Sequence, residues 1–315
     1  MSNLFDKRFV INTGKGGVGK TTVSAAMAIA FAQQGKRVLL MELHTRDRVG
    51  RLFGVEPIGP EITEVAPDIH AVDTTPADAM REYALMVLRI KALYRAVFEN
   101  RAVEKLLRIM PGLPELTMLG KAYFHEKERD ESGRPIWDVV IIDAPATGHG
   151  MFLLQIPQVI SNTLHSGRMA EESEDMLALL EDPDRTVINL VTLPEEMPVN
   201  ETIELHEKLG EAFDVAVGSV VANGVFPRLL SDDETSRIAL LLNTYGNSED
   251  DLGALLSAAL FRNERCEMQA RYLQMLREEL ALPVLEIPFY FEPELDRRTL
   301  DLMAHHLTTH VGAAR

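Results

Sequence analysis

Cysteine and positive charge are scarce in this chain, and long apolar runs are missing. A single cysteine, Cys266, in 315 residues excludes an internal disulfide framework and any metal centre built from cysteine clusters within one chain. Lysines and arginines number 32 against 48 aspartates and glutamates, for a formal net charge of −16. That balance argues against a non-specific grip on nucleic acid or on anionic lipid, since both draw affinity from clustered Lys and Arg. No apolar stretch approaches the roughly 20 residues of a membrane-spanning helix, and Met1-Ser2-Asn3-Leu4-Phe5-Asp6-Lys7-Arg8 has no signal-peptide apolar segment. The expectation is a cytoplasmic protein with no stable membrane insertion. With 46% hydrophobic and 25% charged residues, the composition is that of an ordinary globular chain able to build one large α/β domain or two small ones.

What is present is a phosphate-binding signature. Gly14-Lys15-Gly16-Gly17-Val18-Gly19-Lys20-Thr21-Thr22 satisfies GxxxxGK[ST]. Its glycines let successive backbone N–H groups turn towards phosphates, Lys20 reaches the β/γ-phosphates, and the Thr21 hydroxyl can ligand Mg²⁺. Arg8-Phe9-Val10-Ile11-Asn12 before it reads as a buried strand, and residues 22–34 after it, stopping at Gly35, read as a helix. That order places the anion at a helix N-terminus. Lys36-Arg37-Val38-Leu39-Leu40-Met41 predicts the next strand, ending in Glu42-Leu43-His44-Thr45-Arg46-Asp47, and strand ends in parallel α/β sheets are where ligands sit. Ile69-His70-Ala71-Val72-Asp73 predicts a short edge strand after a loop rich in Pro and acids.

Pro76 then opens a helix whose apolar residues, Met80, Tyr83, Val87, Ile90, Tyr94 and Val97, recur at intervals of three and four. A second helix carries Val103, Leu106, Leu107 and Met110, and an apolar segment runs through Met118, Leu119, Tyr123 and Phe124. Half of the 14 methionines lie between residues 80 and 176; flexible Met side chains suit adaptable apolar surfaces as well as ordinary cores. Trp137-Asp138-Val139-Val140-Ile141-Ile142-Asp143 is an apolar strand ending in an acid, where P-loop proteins hold Mg²⁺ through an aspartate.

The additional lysine, Lys15, and the segment Asp143-Ala144-Pro145-Ala146-Thr147-Gly148-His149 resemble the ArsA-type ATPase family, which includes arsenite-pump ATPases and the tail-anchored-protein targeting ATPase. The resemblance extends to Asp182-Pro183-Asp184-Arg185-Thr186, to Pro194-Glu195 with Glu201-Thr202, to Val220-Val221-Ala222-Asn223, and to Ile287-Pro288-Phe289. It implies one P-loop domain over residues 1–315, with a mostly parallel sheet, helices on both faces and helical insertions near 76–135 and 150–181. It further implies ATP and Mg²⁺ as cofactors. Lys15 and Lys20 would act on phosphate, Thr21 and Asp143 at the metal, Asn223, Pro288 and Phe289 at adenine, and Thr147, Gly148 and His149 as a switch. The early lysine implies a homodimer in which Lys15 reaches the partner's nucleotide.

The family commonly has an acid-x-acid pattern after the second strand, whose second acid orients the attacking water. Glu42 and His44 occupy those two slots here, so either residue, or Asp47, is a candidate for that role. Cys266 stands without the family's CxxC, so neither the bridging zinc nor the arsenite-binding cysteines carry over. The leading expectation is a dimeric ATPase whose nucleotide-driven switching binds and releases a hydrophobic client or membrane partner. An ATPase energising an anion pump and a positioning ATPase of the partitioning type are the alternatives.

Overall fold

The computed structural model describes residues 4–43, 48–88, 112–163, 166–212, 215–245 and 251–313. Eight strands form one sheet: β1 Phe9–Thr13, β2 Val38–Leu43, β3 Thr63–Ala66, β4 Ile69–Thr74, β5 Val139–Asp143, β6 Thr186–Thr192, β7 Val217–Val225 and β8 Val284–Pro288. Their order is β3-β4-β2-β5-β1-β6-β7-β8, and every neighbouring pair is parallel except β3 with β4. Ten helices of the described residues surround it: α1 Lys20–Ala32, α2 Val49–Phe53, α3 Pro76–Leu88, α4 Leu113–Lys127, α5 Thr147–Thr163, α6 Arg168–Glu181, α7 Glu196–Ala212, α8 Asp232–Tyr245, α9 Asp251–Leu280 and α10 Arg297–Ala313. This is the expected α/β architecture.

Every residue of β1, β2, β5 and β6 is buried, which is why these strands read as continuous apolar runs instead of alternating ones. The two-residue period still decides which layer each side chain joins. Val10, Leu40 and Ile141 pack with α1 and α10 on one face. Phe9, Ile11, Leu39 and Ile142 pack with α4, α5 and α7 on the other. Helices therefore cover both faces, and the C-terminal strand ends converge where β1 gives way to the Gly14–Gly19 turn.

Two expectations need correction. The strand at residues 69–74 is interior, because β3, lying inside the segment read as a Pro-rich loop, pairs with it antiparallel and forms the edge. β3 buries just Val65, so its sequence lacks the apolar pattern that would reveal it. The first helix begins at Lys20, two residues earlier than its apolar pattern suggested, because Gly19 takes the cap position with φ 89°. Ile90, Tyr94, Val97, Val103, Leu106, Leu107 and Met110 of the anticipated insertion lie outside the described residues.

One ion cluster pins the N-terminal ends of β1 and β6 to α4. Glu126, its side chain fully inaccessible, accepts from Arg8 Nε at 3.1 Å and from Arg185 Nη2 at 2.6 Å. Burial alone would raise the Glu126 pKa, but hydrogen bonds from Arg185 and Arg8 outweigh it and hold the carboxyl below its usual value. The carboxylate thus depends on both arginines. Replacing Arg8 and Arg185 together by Met is expected to destabilise the protein by about 3–5 kcal/mol, because a buried charge is left without partners. Adding Glu126→Leu should recover part of that loss in urea titrations; a triple variant no more stable than the double would contradict the account.

Candidate active site

The turn from β1 into α1 is shaped by close approaches that exclude side chains. A Cβ on Gly14 would lie 2.1 Å from the Val191 carbonyl oxygen of β6, and one on Gly19 would lie 2.3 Å from Asn223 Nδ2 of β7. Gly17 and Gly19 also adopt φ of 88° and 89°, a region costly for residues with a Cβ. No side chain caps α1, so its first-turn N–H groups and positive dipole end face the turn, an arrangement ready for an anion. Lys20 Nζ donates to the carbonyls of Gly14 at 3.1 Å and Lys15 at 2.9 Å. Burial lowers the Lys20 pKa, opposed by Asp143 and assisted by Arg48. The second lysine behaves differently: Lys15 Nζ meets Glu201 Oε1 of α7 at 2.5 Å.

Beneath the turn, Thr21 Oγ1 donates to Asp143 Oδ2 at 2.6 Å. Asp143 ends β5, in register with Asn12 of β1 on one side and Glu42 of β2 on the other. Burial pushes the Asp143 pKa up to about 7, the Thr21 hydrogen bond opposes this, and the neighbouring Glu42 charge adds to it. Its second oxygen, Oδ1, is buried and has no hydrogen-bond partner. A hydroxyl beside a carboxylate with an unused oxygen is an all-oxygen donor set, and it suits Mg²⁺. Thr21 and Asp143 are the residues that would hold the ion.

Glu42 is fully buried, and its carboxylate is already engaged. Both oxygens accept from the Arg48 backbone N–H, at 3.2 and 3.1 Å, and Oε2 also accepts from Val49 N–H at 3.3 Å. Glu42 therefore ties the entrance of α2 to the end of β2. His44 lies outside the described residues.

On the other side of the turn, Asn223 Nδ2 donates to the Val18 carbonyl at 3.0 Å. The ring of Phe289 sits edge-on to Phe226 and Phe291, with centroids 5.0 and 4.7 Å away, and Phe289 N–H donates to Val225 O at 2.8 Å. Pro288 pairs with Val225 at the end of β8. Residues expected at phosphate, metal and base thus gather at the C-terminal ends of the strands. Thr147, Gly148 and His149 open α5. Behind them a Cβ on Gly150 would come within 2.9 Å of Thr13 Oγ1 and 2.8 Å of Pro145 O, so the anticipated switch is seated directly against the end of β1.

Sequence reasoning did not assign Thr13, Arg48 or Glu201. Nor did it see the buried chain in which Asn189 Nδ2 donates to Asn12 Oδ1 at 3.0 Å, Asn12 Nδ2 to Ser24 Oγ at 2.9 Å, and Ser219 Oγ to Asn189 Oδ1 at 2.9 Å. The available signal was polar residues inside otherwise apolar strands, at positions that the register then aligns.

Over residues 7–168 and 166–241 the chain matches the family described as anion-transporting ATPase. The chain belongs to the anion-transporting (ArsA-type) ATPase family. It is 31% identical to the ATPase BagA of Mycobacterium tuberculosis over 311 residues, covering 91% of this chain and 88% of that protein. The arsenical pump-driving ATPase of Acidiphilium multivorum is 30% identical over 248 residues, 74% of this chain and 42% of the relative. The Escherichia coli protein of the same name is 30% identical over 272 residues, 80% and 46% respectively. This member of the family is accordingly an ATPase. It spans under half of each of those two pump-driving relatives.

The raised Asp143 pKa fixes the sign of a pH effect. Between the ordinary value of 3.8 and about 7, the metal-free folded state binds a proton that the unfolded chain has lost, so stability falls as pH rises through that window. Asp143→Asn removes this dependence. In chelator-containing buffer, the variant is expected to gain on wild type by a few kcal/mol between pH 4 and 7, at about 1.4 kcal/mol per pKa unit. Urea midpoints at several pH values check it; parallel curves for the two proteins would contradict the burial argument.

Proposed function

We propose that the chain is a single P-loop domain acting as a cytoplasmic, homodimeric, Mg²⁺-dependent ATPase, whose nucleotide-driven switching binds and releases a hydrophobic client or membrane partner. The observation that carries the dimer is the division of labour between its two loop lysines. Lys20 occupies the loop's own carbonyls, whereas the Lys15 ammonium sits on Glu201, outside that cradle. A second cation that its own cradle does not use is available to the nucleotide of another copy. Thr21 and Asp143 hold Mg²⁺, Asn223, Pro288 and Phe289 receive adenine, and Thr147, Gly148 and His149 respond to the γ-phosphate.

For the client, large exposed apolar side chains among the described residues favour α8 and the first half of α9. Leu240, Leu255 and Phe261 are each about two-thirds exposed, at 68%, 67% and 65%. No helix of the described residues is long and apolar enough to cross a membrane. The names of the pump-driving relatives favour a second reading, an ATPase that energises anion export. Against it stands Cys266, the chain's single thiol, because two copies would supply just two thiolates to a soft ion such as arsenite.

Sedimentation tests the leading reading. Mg-ATP is expected to tighten a dimer of the wild-type protein, and Lys15→Ala should abolish the tightening while leaving the folded monomer intact. Lys20→Ala should remove nucleotide binding and tightening together. A strict monomer with Mg-ATP, or a nucleotide-tightened dimer unaffected by Lys15→Ala, would overturn it.

Water orientation remains with Glu42 or His44: Glu42 stands beside Asp143 in the strand register, and to act it would have to release the Arg48 and Val49 N–H groups that its carboxylate holds here. Glu42→Gln is expected to retain ATP binding and to lose hydrolysis by about 10²–10⁴-fold, the usual contribution of a positioned acid–base group. If His44 does the work, His44→Ala is the severe variant, and the rate falls as pH drops through a neutral imidazole pKa near 6.5. Single-turnover hydrolysis separates the two; brisk turnover by both variants would place the catalytic group elsewhere.

A further inference from the structure

We propose that Glu201 is a positioning residue for Lys15, holding its ammonium on its own chain until a phosphate of a second copy's nucleotide takes the carboxylate's place. The inference rests on the dimer reading above. Its basis is the 2.5 Å contact between Lys15 Nζ and Glu201 Oε1, together with where each side chain is mounted. Lys15 rides on the glycine-rich turn. Glu201 sits on α7, which is anchored by buried Val199, Leu205 and Leu209 on the sheet, so the carboxylate is a fixed post beside a loop that must accept a ligand.

The charges nearby explain the need for such a post. Lys20 and Arg48 both act on this end of the sheet, and a third unpaired cation on the same turn would be repelled by them. Glu201 neutralises Lys15 locally and draws it away from the carbonyls that Lys20 uses. Exposure matters as well. The two side chains are 28% and 36% exposed, so the pair is hydrated and exchangeable; a fully buried pair would resist release. A phosphate oxygen offers the same ammonium an equivalent charged acceptor. Carboxylate and phosphate therefore compete for one cation, and the contact within one chain is broken as the contact between chains forms.

Glu201→Gln is expected to tighten the Mg-ATP-dependent dimer about two- to fivefold, the scale of a part-exposed ion pair. Glu201→Asp, which keeps the charge but withdraws it by one methylene, should lie between the variant and wild type. Glu201→Gln should not bring back a nucleotide-tightened dimer in a Lys15→Ala background, which an effect of Glu201 independent of Lys15 would allow. An independent readout needs no nucleotide: the ¹⁵N signal of the Lys15 ammonium in the free chain should move in Glu201→Gln while that of Lys20 stays. An unmoved Lys15 signal, or a Glu201→Gln effect that persists without Lys15, overturns the inference. If Lys15→Ala abolishes the dimer but Glu201→Gln leaves it unchanged, the inference fails and the dimer reading survives. If the signal moves but neither residue affects association, the dimer reading falls and the proposed exchange falls with it.

Discussion

Two carboxylates are buried side by side at the ends of β2 and β5, and the rest of the site is arranged around that constraint. Glu42 and Asp143 are paired in strand register and are both inaccessible to water, a placement that disfavours two negative charges at once. The chain resolves the conflict unequally. Glu42 is satisfied by backbone N–H groups of Arg48 and Val49. Asp143 is given one hydroxyl, from Thr21, and keeps an oxygen in reserve. The first arrangement fixes a loop; the second leaves a carboxyl that would ionise were a divalent cation bound, since such an ion is the largest charge in a site of this kind and reverses the local preference for protonation.

The same locality governs how an acidic protein can bind an anion. A net charge of −16 opposes nucleotide approach only weakly at ionic strengths where exposed charges are screened beyond about 8–10 Å. Close to the turn, Lys20, Lys15, Arg48 and the uncapped start of α1 are set against the carboxylates of Glu42, Asp143 and Glu201, a balance that the whole-chain charge does not describe. Whole-chain charge therefore speaks to what extended surfaces will avoid, such as nucleic acid, and says little about the site.

Much of the fold and site could be read from sequence because their signals are short and chemical. The glycine spacing of residues 14–19 follows from backbone approaches that leave no room for a Cβ, and β5 announces itself as an apolar run closed by Asp143. The tethering of Glu42 was not legible, because its partners are backbone N–H groups that leave no side-chain signature. The Lys15–Glu201 contact was not legible either: Glu201 belongs to a segment that carries the family resemblance, but 186 positions separate it from Lys15 and nothing in the sequence pairs the two. β3 escaped for a third reason: an edge strand with a single buried side chain has no periodicity to detect. The exposed leucines of α8 and α9 carry no signal of their own in sequence, because the same residues in a core look identical.

What links these pieces is how little space separates them. Thr13 ends β1 and touches, through the gap that Gly150 leaves, the first turn of α5. Gly14 follows at once and rests on the Val191 carbonyl of β6, the strand that leads into α7 and Glu201. Asn12, one residue earlier, is bound into a polar chain reaching Ser24 of α1, Asn189 of β6 and Ser219 of β7. Three consecutive residues thus couple the phosphate turn to α5, to α7 and to the sheet beneath. Close-packed contacts of this kind transmit sub-ångström displacements because they have no slack to absorb them. In the proposed cycle, occupation of the turn by phosphate is consequently felt at α5, where Gly148 and His149 lie, and at α7, where Glu201 would release Lys15. One ligand then acts on both elements without any contact between them.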